Sequence, residues 1–158
     1  MQFVIWLLVA VAAILVAARF GVFSGSAPGN LGLRDGKFKP PSKTPNSVSS
    51  QAGLWPDHPQ REGAPIAPLA LVGDGPATIA RLSQVIAGME GARIVEQRPD
   101  YLYVQFTTRL MRFVDDAEFW FDPAAGVVQV RSSSRVGRKD FGVNRVRIES
   151  LRERLAGT

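Results

Sequence analysis

Residues 114–134 read VDDAEFWFDPAAGVVQVRSSS, and this stretch decides the fold, because two runs of alternating apolar and polar residues flank the turn sequence DPAAG. If residues 123–126 form the loop of a hairpin, Glu118 lies opposite Arg131 on the neighbouring strand. A shift of one residue would move the arginines into the core, so the hydrophobic pattern favours this register. One face of the hairpin is then apolar. The other face carries Asp116, Glu118, Trp120, Gln129, Arg131, Ser133 and Arg135.

Helix and strand signals on both sides of the hairpin complete the fold prediction. Before it, Asp74 is a candidate cap for an amphipathic helix, and alternating residues predict strands at 93–97 and 101–107. After it, the apolar residues between 148 and 155 form the stripe of a closing helix, with Asn144 on the same side. These elements predict an α+β fold, in which an antiparallel sheet of about four to six strands has helices packed on one face.

The N-terminal part of the chain differs in composition from the rest. Residues 3–18 are uninterrupted apolar, and together with the residues around them they are long enough to span a bilayer as one helix. We predict a single transmembrane anchor at residues 1–23, a flexible linker rich in glycine, proline, serine and lysine at 24–41, and the α+β domain at 42–158. A cleaved signal peptide is the alternative. The anchor is favoured because no basic residue precedes the apolar run.

The chain has no cysteine and one histidine, and these counts exclude several kinds of site. Disulfides, thiolate metal sites and lipoprotein acylation all need cysteine. His58 lies in a proline-rich turn without the further ligands that zinc requires. We therefore expect neither a metal nor a cofactor.

The basic charge of the chain is concentrated near its C-terminus. The formal net charge is +5, and residues 131–154 account for all of it with eight basic and three acidic residues. The basic residues are interleaved with acidic ones and accompany no recognised nucleic-acid motif, so no nucleic-acid partner is expected. The local excess instead indicates a site that receives an anion.

Three blocks of sequence resemble the signature blocks of a known family. They are PNSVSSQA at residues 45–52, FVDDAEFWFD at residues 113–122 and RSSSRVGRKDFGVNRVRIESLR at residues 131–152. In this order they resemble the bacterial and plastid family catalogued as domain of unknown function 1499, from about residue 45 to the end of the closing helix. The resemblance implies no settled activity. The usual PNCVSS block of the family has a cysteine where this chain has Ser47.

We predict one composite ligand site between the hairpin and the start of the final helix. Gly137 and Gly142 permit a sharp reversal of the chain, and free N–H groups at the helix start would add partial positive charge. The alternative is that the same side chains only bond to one another and tie the hairpin to the helix. The predicted ligand-binding residues are Arg131, Arg135, Asn144, Arg145, Asp115, Asp116, Glu118 and Asp140.

Three classes of function remain open from the sequence. The first is a binding or assembly module whose arginines engage an anionic small molecule, a lipid headgroup or an envelope protein. The second is a hydrolase with Asp116 and Glu118 as an acid/base pair. The two residues lie two positions apart on a strand, and this places their carboxylates at a distance that acid/base catalysis can use. The third is a purely structural envelope protein. We favour the binding module.

Two signals on the location of the domain disagree. Basic residues follow the apolar run, and the positive-inside rule would place them in the cytoplasm. Many members of the resembled family, however, carry an N-terminal hydrophobic segment or a lipoprotein signal, which implies export. We therefore predict a single-pass protein of the cell inner membrane, with the membrane as partner of its N-terminal helix and with its domain facing the periplasm.

Overall fold

A six-stranded antiparallel sheet forms the centre of the computed structural model, which describes residues 1–157. Its strands are β1 (Ser47–Ser49), β2 (Leu69–Ala70), β3 (Ala92–Gln97), β4 (Tyr101–Thr107), β5 (Val114–Asp122) and β6 (Val127–Ser134). The spatial order is β1-β6-β5-β4-β3, and β2 also pairs with β6. The helices are α1 (Gln2–Arg19), a short 3-10 helix (Ala52–Leu54), α2 (Gly75–Ala87) and α3 (Val143–Ala156). The predicted α+β fold is confirmed.

The β5–β6 hairpin has the predicted register, with Glu118 opposite Arg131. The register follows from burial, because Phe119 and Val130 face each other in the core and are both fully buried. A shift of one residue would exchange these apolar side chains with their charged neighbours, at a large cost in hydrophobic burial.

Helices α2 and α3 pack on the inner face of the sheet, as the apolar stripes of both helices predict. Asp74 caps α2, because its carboxylate accepts a hydrogen bond of 2.7 Å from the N–H of Ala77. The two stripes and the inner face of the sheet form one core. Its members include Ile79, Leu82, Ile86, Leu102, Val104, Phe119, Val130, Ile148, Leu151 and Leu155.

The outer face of the sheet is covered by the segment that precedes β1. Leu31, Leu33 and Phe38 of this segment pack against the aromatic residues Tyr101, Tyr103 and Trp120. Within the segment predicted as a flexible linker at 24–41, residues 31–38 therefore contribute side chains that pack on the sheet. Composition alone pointed to a spacer, but the three apolar side chains bury enough surface on the sheet to offset the entropy of ordering the segment.

Helix α1 is long and apolar enough to cross a membrane, with a mean hydropathy of 2.2 over 18 residues. Its length and composition fit a membrane anchor and a signal sequence alike. The residues that follow it contact the domain. The rings of Phe23 and Phe113 lie 6.0 Å apart, and the hydroxyl of Ser24 donates to the carbonyl oxygen of Arg112 at 3.2 Å.

Candidate functional site

The sheet separates the predicted site residues into two groups. Asp116, Glu118, Arg131 and Arg135 lie on the outer face, where they pair with one another, and Gly32 of the segment before β1 donates to Glu118. The remaining four lie on the inner face or beside α3: Asp115, Asp140, Asn144 and Arg145. The single composite site predicted for Arg131, Arg135, Asn144 and Arg145 is therefore not formed. The reason is the alternation of side chains along β6, which sends Ser132 to the helices and its neighbours to the opposite face.

The first pair of the outer face joins Glu118 to Arg131 and is completely buried. One carboxylate oxygen of Glu118 accepts from the hydroxyl of Tyr101 at 2.9 Å and from the N–H of Gly32 at 2.6 Å. The other accepts from a terminal nitrogen of Arg131 at 3.3 Å. Burial lowers the pKa of Arg131, against the opposing effect of the Glu118 charge. The Nε of Arg131 is buried and has no hydrogen-bond partner among residues 1–157.

The second pair joins Asp116 to Arg135 with the geometry of a two-pronged fork. The Nε of Arg135 donates to one carboxylate oxygen at 2.8 Å, and a terminal nitrogen donates to the other at 2.7 Å. These hydrogen bonds raise the pKa of Arg135. The hydroxyl of Tyr103 donates to the same carboxylate, and burial followed by this bond raises the pKa of Tyr103. The guanidinium of Arg135 is therefore already committed to a carboxylate of its own protein.

Asn144 is the centre of the inner group and is fully buried. Its amide nitrogen donates to the side chain of Ser134 at 3.1 Å, to Asp140 at 2.9 Å and to the carbonyl oxygen of Asn46 at 3.3 Å. Its amide oxygen accepts from the hydroxyl of Ser132 and from the guanidinium of Arg147, one turn further along α3. Asn144 is therefore a buried amide with partners for both of its polar atoms, and it joins α3 to β6 and to the residue that precedes β1.

Asp140 occupies the start of α3, where an anionic ligand was predicted. Its two carboxylate oxygens accept from the N–H groups of Gly142 at 3.0 Å and Asn144 at 3.1 Å. Burial disfavours the charged form of Asp140, but the bonds from the Asn144 side chain and from the backbone outweigh it, and the pKa is lowered. The helix start is therefore capped by the protein's own carboxylate.

Arg147 belongs to the inner group but was missed from the sequence as a site residue. Its guanidinium donates to Asp115 at 2.7 Å and to the Asn144 amide oxygen at 3.0 Å, and it lies 4.5 Å from the ring centre of Phe106. The signal that would have found it is its position three residues after Asn144, which places both on one side of α3.

Arg145 has a separate role at the surface of α3. Its guanidinium donates to the carbonyl oxygens of Gly63 at 2.9 Å and Pro65 at 2.8 Å. These bonds fasten the loop before β2 to the helix.

The segment over the outer face forms a cavity that the sequence did not predict. We call it the cationic pocket, and it has a volume of about 290 Å³. Its charged lining is entirely basic, with Arg34, Lys37 and Lys39, and Trp55 and Asn30 contribute further surface. The basic residues after the apolar run are the sequence signal for this pocket, although they also bear on the orientation of the chain in a membrane.

A tight turn holds two of these cations opposite each other. Arg34 and Lys37 exchange two backbone hydrogen bonds, of 2.9 and 3.0 Å, across the turn formed by Asp35 and Gly36. Both turn residues have positive φ, +53° for Asp35 and +69° for Gly36, as hairpin turns of two residues require. Gln51 anchors the turn, because its side chain binds the carbonyl oxygen of Gly36 and the N–H of Phe38.

Lys39 connects the cationic pocket to the buried pair below it. Burial, and after it the charge of Arg131, lower the pKa of Lys39. Its ammonium group donates to the side chain of Asn30 at 3.0 Å. The charge of Arg131 therefore disfavours the protonated form of Lys39, while the charges of Glu118 and Asp116 favour it.

The carboxylates of Asp116 and Glu118 lack the surroundings of an acid/base pair. All their oxygens accept hydrogen bonds from the arginines, tyrosines or backbone of this chain, and Glu118 has no exposed surface. Within residues 1–157, no group of three or more histidine, cysteine, aspartate or glutamate side chains is placed to hold a metal ion.

Comparison with known proteins identifies one family. Residues 37–155 match the family model described as Protein of unknown function (DUF1499). The matched range contains the sheet, α2, all but the last residue of α3, and all eight predicted site residues. No curated protein and no solved structure matches the chain.

Proposed function

Since the chain belongs to the DUF1499 family, whose description names no activity, we propose a function from the geometry of its own residues. The protein is a membrane-anchored, non-catalytic module that binds a small anion with a phosphate or carboxylate group in the cationic pocket. The observation that carries this proposal is the collection of Arg34, Lys37 and Lys39 around one cavity with no acidic side chain in its lining.

Like charges placed opposite each other across a turn destabilise a hairpin. Arg34 and Lys37 are nevertheless held opposite each other by a turn that Gln51 fastens to the domain. A bound anion converts this repulsion into two favourable contacts, because its charge lies between the two cations. The arrangement thus favours a binding site over a merely solvated surface.

The buried Arg131, whose charge acts on Lys39, supports the same proposal. Arg131 faces one carboxylate at a long 3.3 Å and keeps an unpartnered Nε, so the Glu118 carboxylate does not satisfy its guanidinium. Lys39 adds a second positive charge above it. An anion near Lys39 would lower the electrostatic cost of both groups. In this proposal Arg131 acts from beneath the pocket, while Arg135 supports the sheet through Asp116.

A purely structural role is the second candidate function. It is favoured by the direct pairing of Arg131 with Glu118 and of Arg135 with Asp116, which stabilises the fold without any ligand. The two candidates differ in whether the cationic pocket binds an anion.

The first prediction concerns anion binding by the full-length protein in detergent. Titration calorimetry with inorganic phosphate, glycerol phosphate and succinate is expected to show saturable binding of at least one of them. Lys39→Met should weaken that binding about tenfold, because a hydrogen bond to a charged group is worth about 1.5 to 3 kcal/mol. Binding should also weaken as the pH rises toward the lowered pKa of Lys39, since the neutral amine no longer attracts an anion.

Arg93→Gln is the matched control for this experiment. Arg93 lies on the edge strand β3, separated from β6 by β4 and β5, and its removal should leave the affinity unchanged. Lys39→Met should leave the thermal stability of the unliganded protein nearly unchanged, because the repulsion of Lys39 by Arg131 is opposed by its attraction to Glu118 and Asp116. Absence of saturable binding for all three anions would reject the proposed function and favour the structural role.

The second prediction concerns the membrane. We propose that α1 remains attached as a single-pass anchor and that the domain faces the periplasm. After alkaline carbonate washing of membranes, the full-length protein should stay in the pellet. An alkaline phosphatase fused to the C-terminus should be active, since this reporter folds only outside the cytoplasm. An active cytoplasm-only reporter at the same place would contradict the orientation, and release by carbonate would contradict the anchor.

A further inference from the structure

Two loops at one end of the sheet expose large apolar side chains, and we call their common surface the rim. The rim consists of residues 108–113 between β4 and β5 and residues 136–142 between β6 and α3. Phe141 is 91% exposed and Leu110 is 66% exposed. Soluble surfaces seldom present several such side chains together without a partner.

The rim lies where the chain leaves the apolar helix α1. The ring of Phe23 packs at a tilt against that of Phe113, and the hydroxyl of Ser24 donates to the backbone of Arg112. Gly25 lies against Val136 so closely that an added Cβ would be 2.7 Å from its side chain. Both loops of the rim are therefore held beside the end of the helix that is long enough to cross a membrane.

The charge of the rim complements a surface of anionic phosphates. Its basic residues are Arg109, Arg112, Arg138 and Lys139. The acidic residue within the two loops is Asp140, and its carboxylate is already bound to the start of α3. Basic residues next to exposed aromatic side chains are the composition by which proteins contact the interfacial layer of a bilayer.

The backbone of the rim is strained at its most exposed large apolar residue. Phe141 has φ of +54°, in the left-handed region that a bulky residue rarely adopts. Arg112, in the other loop, has φ of +58°. Strain of this kind persists where the surrounding structure imposes it, and it is concentrated at functional positions. Between the loops lies a largely apolar cleft of about 320 Å³ lined by Phe113, Val136 and Phe141.

We propose that the rim is a second membrane contact, which lies in the interfacial layer of the bilayer that α1 crosses. Phe141 and Leu110 enter the layer, and the basic residues bind the phosphates of anionic lipids. The contact holds the domain at a fixed orientation to the membrane. The proposal rests on the anchoring by α1, and it is separate from anion binding in the cationic pocket, which lies under a different segment.

The absence of cysteine from the chain permits a direct test with single labelled cysteines. The full-length variants Phe141→Cys, Val9→Cys and Ala124→Cys are labelled with bimane and placed in nanodiscs that contain phosphatidylglycerol. Val9 lies within α1, and Ala124 lies in the turn at the opposite end of β5, a strand about 30 Å long. Quenching by iodide reports exposure to water, and quenching by a nitroxide-labelled lipid reports contact with the bilayer.

We expect the label at position 141 to be quenched by the nitroxide lipid, and about threefold less by iodide than the label at position 124. If iodide and the nitroxide lipid each quench the label at position 141 as much as the label at position 124, the proposal is overturned. If the label at 9 is then still quenched by lipid, the anchor stands and only the rim is rejected. Shielding of 141 from iodide without lipid quenching means that another protein, such as a second copy, covers the rim, and also overturns the proposal.

Two further variants separate a membrane contact from a folding defect and test the charge. Leu110→Cys reports on the other loop of the rim, and it should repeat the result if Phe141→Cys disturbs the turn. Replacing Arg138 and Lys139 together with glutamine should reduce the lipid quenching at position 141, as should discs of phosphatidylcholine alone. Lipid quenching that is the same with and without phosphatidylglycerol would reject the role of anionic lipid.

Discussion

Arg131→Ala is expected to lower the free energy of unfolding by about 3 to 5 kcal/mol, because it leaves the carboxylate of Glu118 buried without its charge partner. The side chain of Arg131 is 4% exposed and that of Glu118 is not exposed, so water cannot replace the lost guanidinium. Tyr101 and Gly32 still donate to Glu118, but neither carries a charge. Urea unfolding of the full-length protein in detergent, followed by far-ultraviolet circular dichroism, measures the change.

A double-mutant cycle with Glu118→Ala separates the pair from its surroundings. We expect the two single changes to be strongly non-additive, since the second substitution removes the charge that the first leaves unpaired. Arg61→Ala is the control, because Arg61 and Glu62 form an exposed pair, and such pairs contribute less than about 1 kcal/mol. A coupling energy near zero between residues 118 and 131 would show that the buried pair does not stabilise the sheet.

Asn144→Asp is expected to destabilise the domain by about 3 to 5 kcal/mol at neutral pH, although it only replaces the NH2 group of the side chain with an oxygen. The amide nitrogen of Asn144 donates to Asp140, to Ser134 and to the carbonyl of Asn46. A carboxylate oxygen in its place has no proton to donate, and it brings a second negative charge beside Asp140. Unfolding of the variant and of the native chain at neutral pH measures the difference.

The pH dependence distinguishes charge repulsion from lost packing in this variant. Repulsion by Asp140 raises the folded-state pKa of the new carboxyl group, so its destabilising effect is largest above that pKa and falls as the pH falls through it. The native Asp140 behaves oppositely. Its lowered pKa contributes stability that is present above the ordinary aspartate value and is lost in more acidic solution. The two stability curves should therefore approach each other as the pH is lowered from 7 to about 5.

Gln84→Glu is the matched control for the same amide-to-acid change at an exposed position on α2. It should alter the free energy of unfolding by less than about 0.5 kcal/mol, because water solvates the new carboxylate. A destabilisation of Asn144→Asp that is equally small would contradict the role of Asn144 in joining α3 to β6 and to the residue that precedes β1.

The hairpin shows what could be predicted about the fold. Its register was readable because Phe119 and Val130 alternate with charged residues, and only one pairing buries the whole apolar set. The Asp74 cap and the positive φ of Gly137 and Gly142 were readable for a similar reason, since caps and turns depend on neighbours within a few residues.

The candidate site was only partly predictable. The outer-face position of Glu118 opposite Arg131 follows from alternation on a strand, and this part is confirmed. The structure does not bring Arg131 and Asn144 together, because the two side chains lie on opposite faces of the sheet. The cationic pocket was missed, because its parts, Lys39, Trp55 and the Arg34 turn, become neighbours only when the segment before β1 folds over the sheet.

By itself, the sequence determined the α+β class, the hairpin register, the two amphipathic helices and the membership in the family, since each depends on periodicity, on local backbone preference or on motif order. Only the tertiary structure decided which charges are paired, which are buried and which surround a cavity. These properties depend on how closely residues that are far apart in the sequence approach each other, and on how much water remains between them. Arg34 and Arg135 are the same residue type, yet one lines an open pocket and the other is bound to a carboxylate, because the fold places them in different surroundings.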